Sequence, residues 1–283
     1  MGYRWKIGWR QLCVLLLIAG VLLGGCSAKP AAVGGDKKDG TQPKSKIRLG
    51  TTAGPHEEIA QKVKAIAAKD GLEIEVVAFN DGTEINSATA EKKLDANAFQ
   101  HNGFFDNNTK ARNVKLAKIA DTYLMPMAVY SKKIRNAAEI PDGATVSLPG
   151  DPSNTARALV LFEKAGWIKL PPNAGVTTSV RDIVENPKKL KFKELDQGMI
   201  APTLGEFDAA AINTHLALLH GLHPAKDGLV VEEAKGNPWV CILVVRPEEK
   251  DDPAYQKLIK AYHSDELRQF LLDKYKGAIL PGW

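Results

Sequence analysis

The sequence is short of cysteine, which excludes a disulfide-stabilised scaffold. Its 283 residues include only Cys13, Cys26 and Cys241. Cys13 lies in an apolar N-terminal run and Cys26 ends it, so Cys241 is left as a single thiol in the body of the chain. The apolar run 239–245 around Cys241 predicts a buried strand, and we expect a structural thiol there rather than a nucleophile. A chain of this length can rely on its core instead of disulfides.

Sequence patterns of enzymes and metal sites are also missing. There is no G-x-S-x-G elbow, no P-loop and no H-E-x-x-H pair, which removes familiar signatures of hydrolases, nucleotide-binding enzymes and metalloproteases. His215 and His220 do not share a helical face, and His223 is followed at once by Pro224, so the histidines lack metal-ligand spacing. We therefore predict no enzymatic activity, no metal site and no cofactor.

The chain has no strongly basic stretch that would indicate a nucleic-acid partner. Its formal charge is +5, and Arg4, Lys6 and Arg10 contribute three of those charges. Without this N-terminal part the charge is near +2, and no arginine-rich stripe is present, so nucleic acid is not an expected partner. The lysine-rich run 188–191 is typical of a solvated surface.

The N-terminus has the layout of a secretory signal. Basic residues precede an apolar run over 12–23, and two glycines precede Cys26. The run is shorter than the roughly 18 to 20 residues of a spanning helix and contains glycines, which disfavours the alternative of a plain transmembrane anchor. A cysteine after small residues resembles a bacterial lipobox. Residues 1–25 are therefore predicted to be a lipoprotein signal peptide, with Cys26 as the lipidated first residue of the mature chain.

The predicted location is the extracytoplasmic face of a membrane. A diacylglycerol and an amide-linked acyl chain such as palmitate on Cys26 would anchor the protein stably, because stable anchoring takes more than one chain. Residues 26–45 are small and polar without apolar periodicity, which is typical of a flexible tether.

Strands alternate with helices through the rest of the chain, which predicts an α/β fold with largely parallel sheets. Two extended segments, 123–130 and 239–245, bracket a separate series of strands and helices. One lobe is predicted to comprise residues 46–130 and 235–283, and the other residues 131–234. A cleft between two such lobes is a favoured ligand site, with hinge closure as the expected motion.

Polar segments follow several predicted strands, where ligands bind in open α/β sheets. Asp151 and Pro152 begin a predicted helix, and the free amides of a first turn attract anions. Arg157 lies one turn further on and could pair with a carboxylate. The alternative is an ordinary capped helix with an exposed arginine.

Three further sets of residues admit a ligand-binding and a structural interpretation. Asn213 could hold an ammonium group through its side-chain carbonyl, or could be a turn residue after a strand. Phe99 and His101 could pair an apolar wall with a polar group, or could pack locally. Tyr123, Met125 and Met127 could line a pocket, although buried strand residues are more common.

Several motifs are distinctive in their order and spacing. The most distinctive is Asp95-Ala96-Asn97-Ala98-Phe99-Gln100-His101. The others occupy residues 130–133, 151–157, 185–188, 211–214, 224–228 and 282–283. Together they resemble the motifs of the NlpA family of lipoproteins, the substrate-binding components of methionine-uptake ABC transporters. The resemblance covers residues 46–283.

The resemblance implies a type II periplasmic-binding-protein fold with the ligand between two lobes. It implies that Arg157 pairs with the carboxylate of an amino acid and that Asn213 helps to fix the α-amino and carboxylate groups. It also implies that Phe99, His101 and Tyr123 surround the ligand side chain. The full set of predicted ligand-binding residues is Phe99, His101, Tyr123, Asn154, Arg157 and Asn213.

The function that follows from the resemblance is capture of L-methionine and its delivery to an ABC permease and its ATPase. The alternatives are binding of D-methionine, of a methionyl dipeptide or of another apolar amino acid, or a surface lipoprotein without a transport role. The chain departs from the family pattern at Met125, His215-Leu216, residues 197–202 and Trp239-Val240-Cys241. We expect these departures to reshape the side-chain pocket.

Overall fold

The computed structural model describes residues 44–283. The predicted signal peptide, Cys26 and all but the last residues of the predicted tether lie outside this part of the chain. No helix in residues 44–283 is both long and apolar enough to cross a membrane.

Strands and helices alternate over most of the described residues, as the hydrophobic pattern predicts. The strands are β1 Lys46–Thr52, β2 Glu73–Phe79, β3 Ala96–His101, β4 Ala117–Asp121, β5 Tyr123–Leu124, β6 Ala128–Tyr130, β7 Thr145–Pro149, β8 Lys191–Leu195, β9 Ala209–Ile212, β10 Val230–Val231, β11 Cys241–Val245 and β12 Leu280–Pro281. The helices are α1 Pro55–Ala67, α2 Ile85–Ala90, α3 Asn102–Arg112, α4 Pro152–Lys164, α5 Gln197–Ile200, α6 Thr214–Leu219, α7 Pro224–Asp227, α8 Pro253–Tyr262 and α9 Asp265–Tyr275.

Two five-stranded sheets organise residues 44–283. The first has the order β2-β1-β3-β11-β4 and the second the order β10-β6-β9-β7-β8. The predicted α/β architecture is confirmed, but the expectation of largely parallel sheets is wrong. In the first sheet β11 runs antiparallel to both neighbours, and in the second sheet β6 does. These are the strands by which the chain enters the second sheet and returns to the first, and hydrophobic periodicity does not show strand direction.

The predicted extended segment 123–130 is interrupted. Its first part, β5, pairs with β12, whereas β6 is hydrogen-bonded into the second sheet. Pro126 lies between them and has no N–H for a continuous ladder. The predicted boundary after residue 130 assigns β6 to the first lobe, whereas β6 pairs with strands of the second sheet, because an apolar run does not show which sheet it joins. The division into lobes by residue ranges stays a prediction.

Each large sheet has its own hydrophobic core. Helix α1 begins at Pro55, whose fixed φ suits the first turn, and buries Ile59 and Val63 against the first sheet. Helix α4 buries Leu159 and Phe162 against the second. The C-terminal helices α8 and α9 are separate, because the Ser264 hydroxyl accepts from the Leu267 amide and caps a new start.

Candidate functional site

A cavity of about 280 Å³ lies between loops that follow strands of the two sheets. This volume is close to the lower end of the roughly 300–1,000 Å³ of small-molecule sites, so it suits a ligand of amino-acid size. Five of the six predicted ligand-binding residues line it, namely Phe99, His101, Asn154, Arg157 and Asn213.

Tyr123 lies behind the cavity wall and does not line it. The side chain is fully buried, and its hydroxyl donates to the Ala98 carbonyl at 3.3 Å. The same hydroxyl lies 2.7 Å from Nδ1 of His56, a residue that does line the cavity. Tyr123 therefore supports an imidazole of the wall rather than contacting the cavity itself.

Arg157 is buried in the cavity wall, with 4% of its residue surface exposed, which overturns the alternative of an exposed helix arginine. Its Nε donates to Oε1 of Glu232 at 2.7 Å, and its Nη2 donates to Oε2 of Glu232 at 2.6 Å. Nη2 also donates to the Met125 carbonyl at 2.8 Å. Within residues 44–283, Nη1 makes no hydrogen bond. This nitrogen is the donor that remains for a bound carboxylate.

A chain of hydrogen bonds orients the side-chain amide of Asn213. Asp151 caps α4 and accepts from Nδ2 of Asn154 at 2.9 to 3.0 Å. Oδ1 of Asn154 therefore faces the other way, and it accepts from Nδ2 of Asn213 at 2.9 Å. The arrangement leaves Oδ1 of Asn213 buried without a hydrogen-bond partner among the described residues. A buried acceptor without a partner is costly, and a ligand N–H donor would satisfy it.

His101 belongs to the same network. Its Nε2 donates to Oδ1 of Asn154 at 3.2 Å, while its Nδ1 accepts from the Phe104 amide at 3.2 Å and caps α3. One donating and one accepting nitrogen define a neutral imidazole. Burial, with the Arg157 charge nearby, lowers the pKa of His101 to about 3. The ring also packs edge-on against Trp239 at 4.9 Å between centroids.

Aromatic side chains supply the apolar part of the cavity. Phe99 and Phe104 pack edge to face with ring centroids 5.9 Å apart. Gly82 lies against the Phe99 ring, and a Cβ on this glycine would come within 2.4 Å of a ring carbon. A glycine is therefore needed at residue 82 for the Phe99 ring to keep its place.

A second group of polar side chains lines the cavity near the start of α1. The rings of His56 and His215 approach edge-on with centroids 4.8 Å apart. Burial lowers the pKa of His215 to about 4 and raises the pKa of the Cys241 thiol to about 12. Both imidazoles and the thiol are therefore neutral near pH 7. His215 and Cys241, two of the departures from the family pattern, thus meet at one cavity.

The family is decided by comparison with known proteins. The profile of the NlpA lipoprotein family matches residues 47–283. The chain belongs to the NlpA lipoprotein family. The predicted family and the two-lobed fold of its binding proteins are therefore confirmed.

Several NlpA family relatives resemble the chain over most of its length. It is 38% identical to the D-methionine-binding lipoprotein MetQ of Escherichia coli K12, over 94% of this chain and 95% of the relative. It is 36% identical to outer membrane lipoprotein 1 of Mannheimia haemolytica, over 98% of this chain and 100% of the relative. A nutrient binding protein from Burkholderia cenocepacia, solved bound to methionine, is 41% identical with a TM-score of 0.81, over 84% of this chain and 100% of the other.

Sequence reasoning missed two residues of this NlpA family site, Glu232 and His56, and it placed a third, Trp239, in the wrong element. Glu232 follows a two-residue strand in a polar loop, and nothing in the sequence connects it to Arg157. Trp239 was assigned to a strand, whereas it precedes β11 and contacts the guanidinium, with 5.7 Å from Cζ to the ring centroid. His56 follows the polar segment at the end of β1, which was a usable indication of a site. Among residues 44–283, no group of three or more His, Cys, Asp or Glu side chains is arranged to hold a metal ion.

Proposed function

We propose that this NlpA family member is the substrate-binding lipoprotein of an ABC importer, and that it captures L-methionine and delivers it to the membrane permease and its ATPase. The protein binds and releases its ligand and performs no covalent chemistry. Relatives that carry the names of methionine-binding proteins support this ligand class.

One observation carries the proposal: two residues that line the same cavity, Asn213 and Arg157, have an unpartnered acceptor and an unused donor respectively. Oδ1 of Asn213 is buried without a partner, and Nη1 of Arg157 makes no hydrogen bond. An α-amino acid brings an ammonium group and a carboxylate on one carbon, which can satisfy both atoms together. Its side chain then lies against Phe99 and Phe104. Burial of the ligand ammonium and carboxylate groups is costly unless each has a hydrogen-bond partner, and Asn213 and Arg157 are these partners.

D-methionine is the second candidate, because the Escherichia coli relative is named for it. In D-methionine the side chain and the hydrogen on the α-carbon change places. The ammonium and carboxylate contacts would therefore be kept, and the side chain would point to another part of the cavity wall. A methionyl dipeptide or another apolar amino acid would use the same two polar atoms. A surface lipoprotein without a transport role would have no need of a buried acceptor in a cavity.

The proposed location is the extracytoplasmic face of a membrane, with Cys26 as the lipid anchor. The family name agrees with lipidation. Lobe closure over the ligand would present a changed surface to the permease, which requires the ligand to bind the closed state more tightly than the open state.

Calorimetry on the purified full-length protein tests the ligand. Native mass spectrometry of a fresh preparation first identifies any retained ligand, which is then removed. Titration with L-methionine, D-methionine, norleucine and glycyl-methionine follows, and a true ligand also raises thermal stability by mass action. We expect L-methionine to bind most tightly. Tighter binding of D-methionine would establish the second candidate, and absence of binding by all four would overturn the proposal.

A further inference from the structure

The Arg157 guanidinium is the one cation among the described lining residues, and the Glu232 carboxylate, which does not line the cavity, already pairs with it. The Glu232 and Arg157 side chains are 8% and 4% exposed and form two hydrogen bonds with each other. The Met127 amide donates to Oε2 of Glu232 at 2.8 Å, and Nδ2 of Asn237 donates to the same oxygen at 3.3 Å. These contacts hold a full negative charge directly behind the guanidinium.

The rest of the cavity adds no positive charge. Among the described lining residues, the other charged side chains are Asp81 and Asp196, both exposed at the rim. Hydrogen bonds from Thr83 lower the pKa of Asp81 and so keep it ionised. The lining histidines are held neutral by burial. The buried part of the site is therefore neutral overall, and its mouth is negative.

We infer that Glu232 determines specificity by making this site accept zwitterionic amino acids and reject carboxylates that lack an ammonium group. The inference rests on the proposed function, since it concerns the chemical class of ligand that the same cavity takes.

The reason is the balance of buried charge. A zwitterion brings one charge of each sign, so Arg157, Glu232 and the ligand together stay neutral. An anion leaves two carboxylates sharing one guanidinium, and the excess negative charge is costly in a site of low dielectric. Without Glu232 the guanidinium would be an unpaired cation, for which an anionic ligand is the better partner.

The α-hydroxy analogue of methionine isolates this effect. It has a hydroxyl in place of the ammonium group, so it keeps the shape of the ligand and a hydrogen-bond donor for Oδ1 of Asn213. Its net charge at neutral pH is negative, whereas that of methionine is zero. The ratio of the two dissociation constants combines discrimination by charge with the stronger hydrogen bond of an ammonium group, and the change in this ratio on substitution of Glu232 isolates the charge.

Calorimetry with methionine and its α-hydroxy analogue on three variants tests the inference. Glu232→Gln removes the charge and keeps the size of the side chain. Glu232→Asp keeps the charge and shortens the side chain. Glu233→Gln is the matched control, because its exposed carboxylate pairs with Lys164 on the surface.

We expect wild type to bind methionine at least about tenfold more tightly than the hydroxy analogue, since juxtaposition of buried like charges lowers affinity by more than about tenfold. Glu232→Gln should lower this ratio by about tenfold, and Glu232→Asp and Glu233→Gln should preserve it. If Glu232 only immobilises Arg157, each of Glu232→Gln and Glu232→Asp would weaken the binding of methionine and of the hydroxy analogue by the same factor. The ratio of the two dissociation constants would then stay unchanged, and that result would overturn the inference.

The wild-type measurement keeps the test decisive even where a variant does not fold. Equal binding of the two ligands by wild type would overturn the inference without any variant. Failure of wild type to bind methionine at all is a different result, because it would overturn the proposed function instead.

Discussion

Replacement of Arg157 by alanine should damage both ligand binding and the stability of the ligand-free protein. The substitution leaves the Glu232 carboxylate buried, with the Met127 amide and Asn237 as its remaining partners. Breaking a buried ion pair by removing one member costs about 3–5 kcal/mol. For a protein of this size each kcal/mol lowers Tm by roughly 2–4 °C, so the loss of Tm should be about 6–20 °C.

The loss of affinity has a separate origin. Removal of the guanidinium takes away the charge-assisted partner of the ligand carboxylate, which typically costs about 2–5 kcal/mol. Since about 1.4 kcal/mol corresponds to a factor of ten, methionine should bind from roughly 30-fold to several-thousand-fold more weakly. Calorimetry measures this loss, and denaturation by urea without ligand measures the free energy of unfolding.

The double variant Arg157→Ala/Glu232→Gln separates the two effects. It removes the stranded charge, so it should recover about half of the lost stability, but it should not recover binding. The reasoning is refuted if Arg157→Ala is as stable as wild type, or if the double variant is no more stable than the single one. Near-wild-type affinity in Arg157→Ala would refute the role of this residue in binding.

Three further predictions concern the pocket, the anchor and the response to pH. Asn213→Ala should weaken the binding of all amino-acid ligands by about 1–3 kcal/mol, whereas Phe99→Ala should change the order of their affinities. Calorimetry with L-methionine, D-methionine, norleucine and glycyl-methionine measures both effects, and the reverse result would show that the two roles are exchanged. Cys26→Ser should abolish acylation and membrane association, seen by intact mass and fractionation; wild-type protein without acyl mass at Cys26 would contradict this. Burial holds the pKa of His101 at about 3, so the stability that this neutral histidine contributes is complete above pH 6.5 and is lost as pH falls toward 3. Between pH 8 and pH 5 the loss of unfolding free energy due to His101 should be about 2 kcal/mol. Urea denaturation should show a smaller loss in His101→Gln but not in the control His220→Gln, whose histidine is exposed. A pH profile of His101→Gln identical to that of wild type would exclude this contribution.

The sequence predicts the elements of this fold better than their arrangement. The start of α4 comes from local chemistry, the cap at Asp151 and the proline at residue 152, so the predicted start agrees with the structure. Helix α3, at Asn102–Arg112, was not predicted, because it is polar and buries only Gly103. The direction of β6 and β11 depends on the sheets that they join, and local pattern carries no information about distant pairing.

The candidate site shows the same limit. The position of Arg157 one turn into a capped helix indicated an anion site, and its placement in the cavity agrees with that prediction. Its partner Glu232 is 75 residues away in the chain, and no spacing connects the two. The unpartnered Oδ1 of Asn213 depends on amide orientations set by Asn154 and His101, which only a three-dimensional network defines.

The contacts of Trp239 with His101 and with the Arg157 guanidinium also give the protein an intrinsic optical reporter. Of the tryptophans in residues 44–283, Trp167 lies in the core of the second sheet and Trp283 stacks on His263. Trp239 alone among these lines the cavity. A ligand carboxylate on the guanidinium would alter the surroundings of one indole and leave the other two unchanged. Emission from an unlabelled sample should therefore follow occupancy, and Trp239→Phe should remove the response.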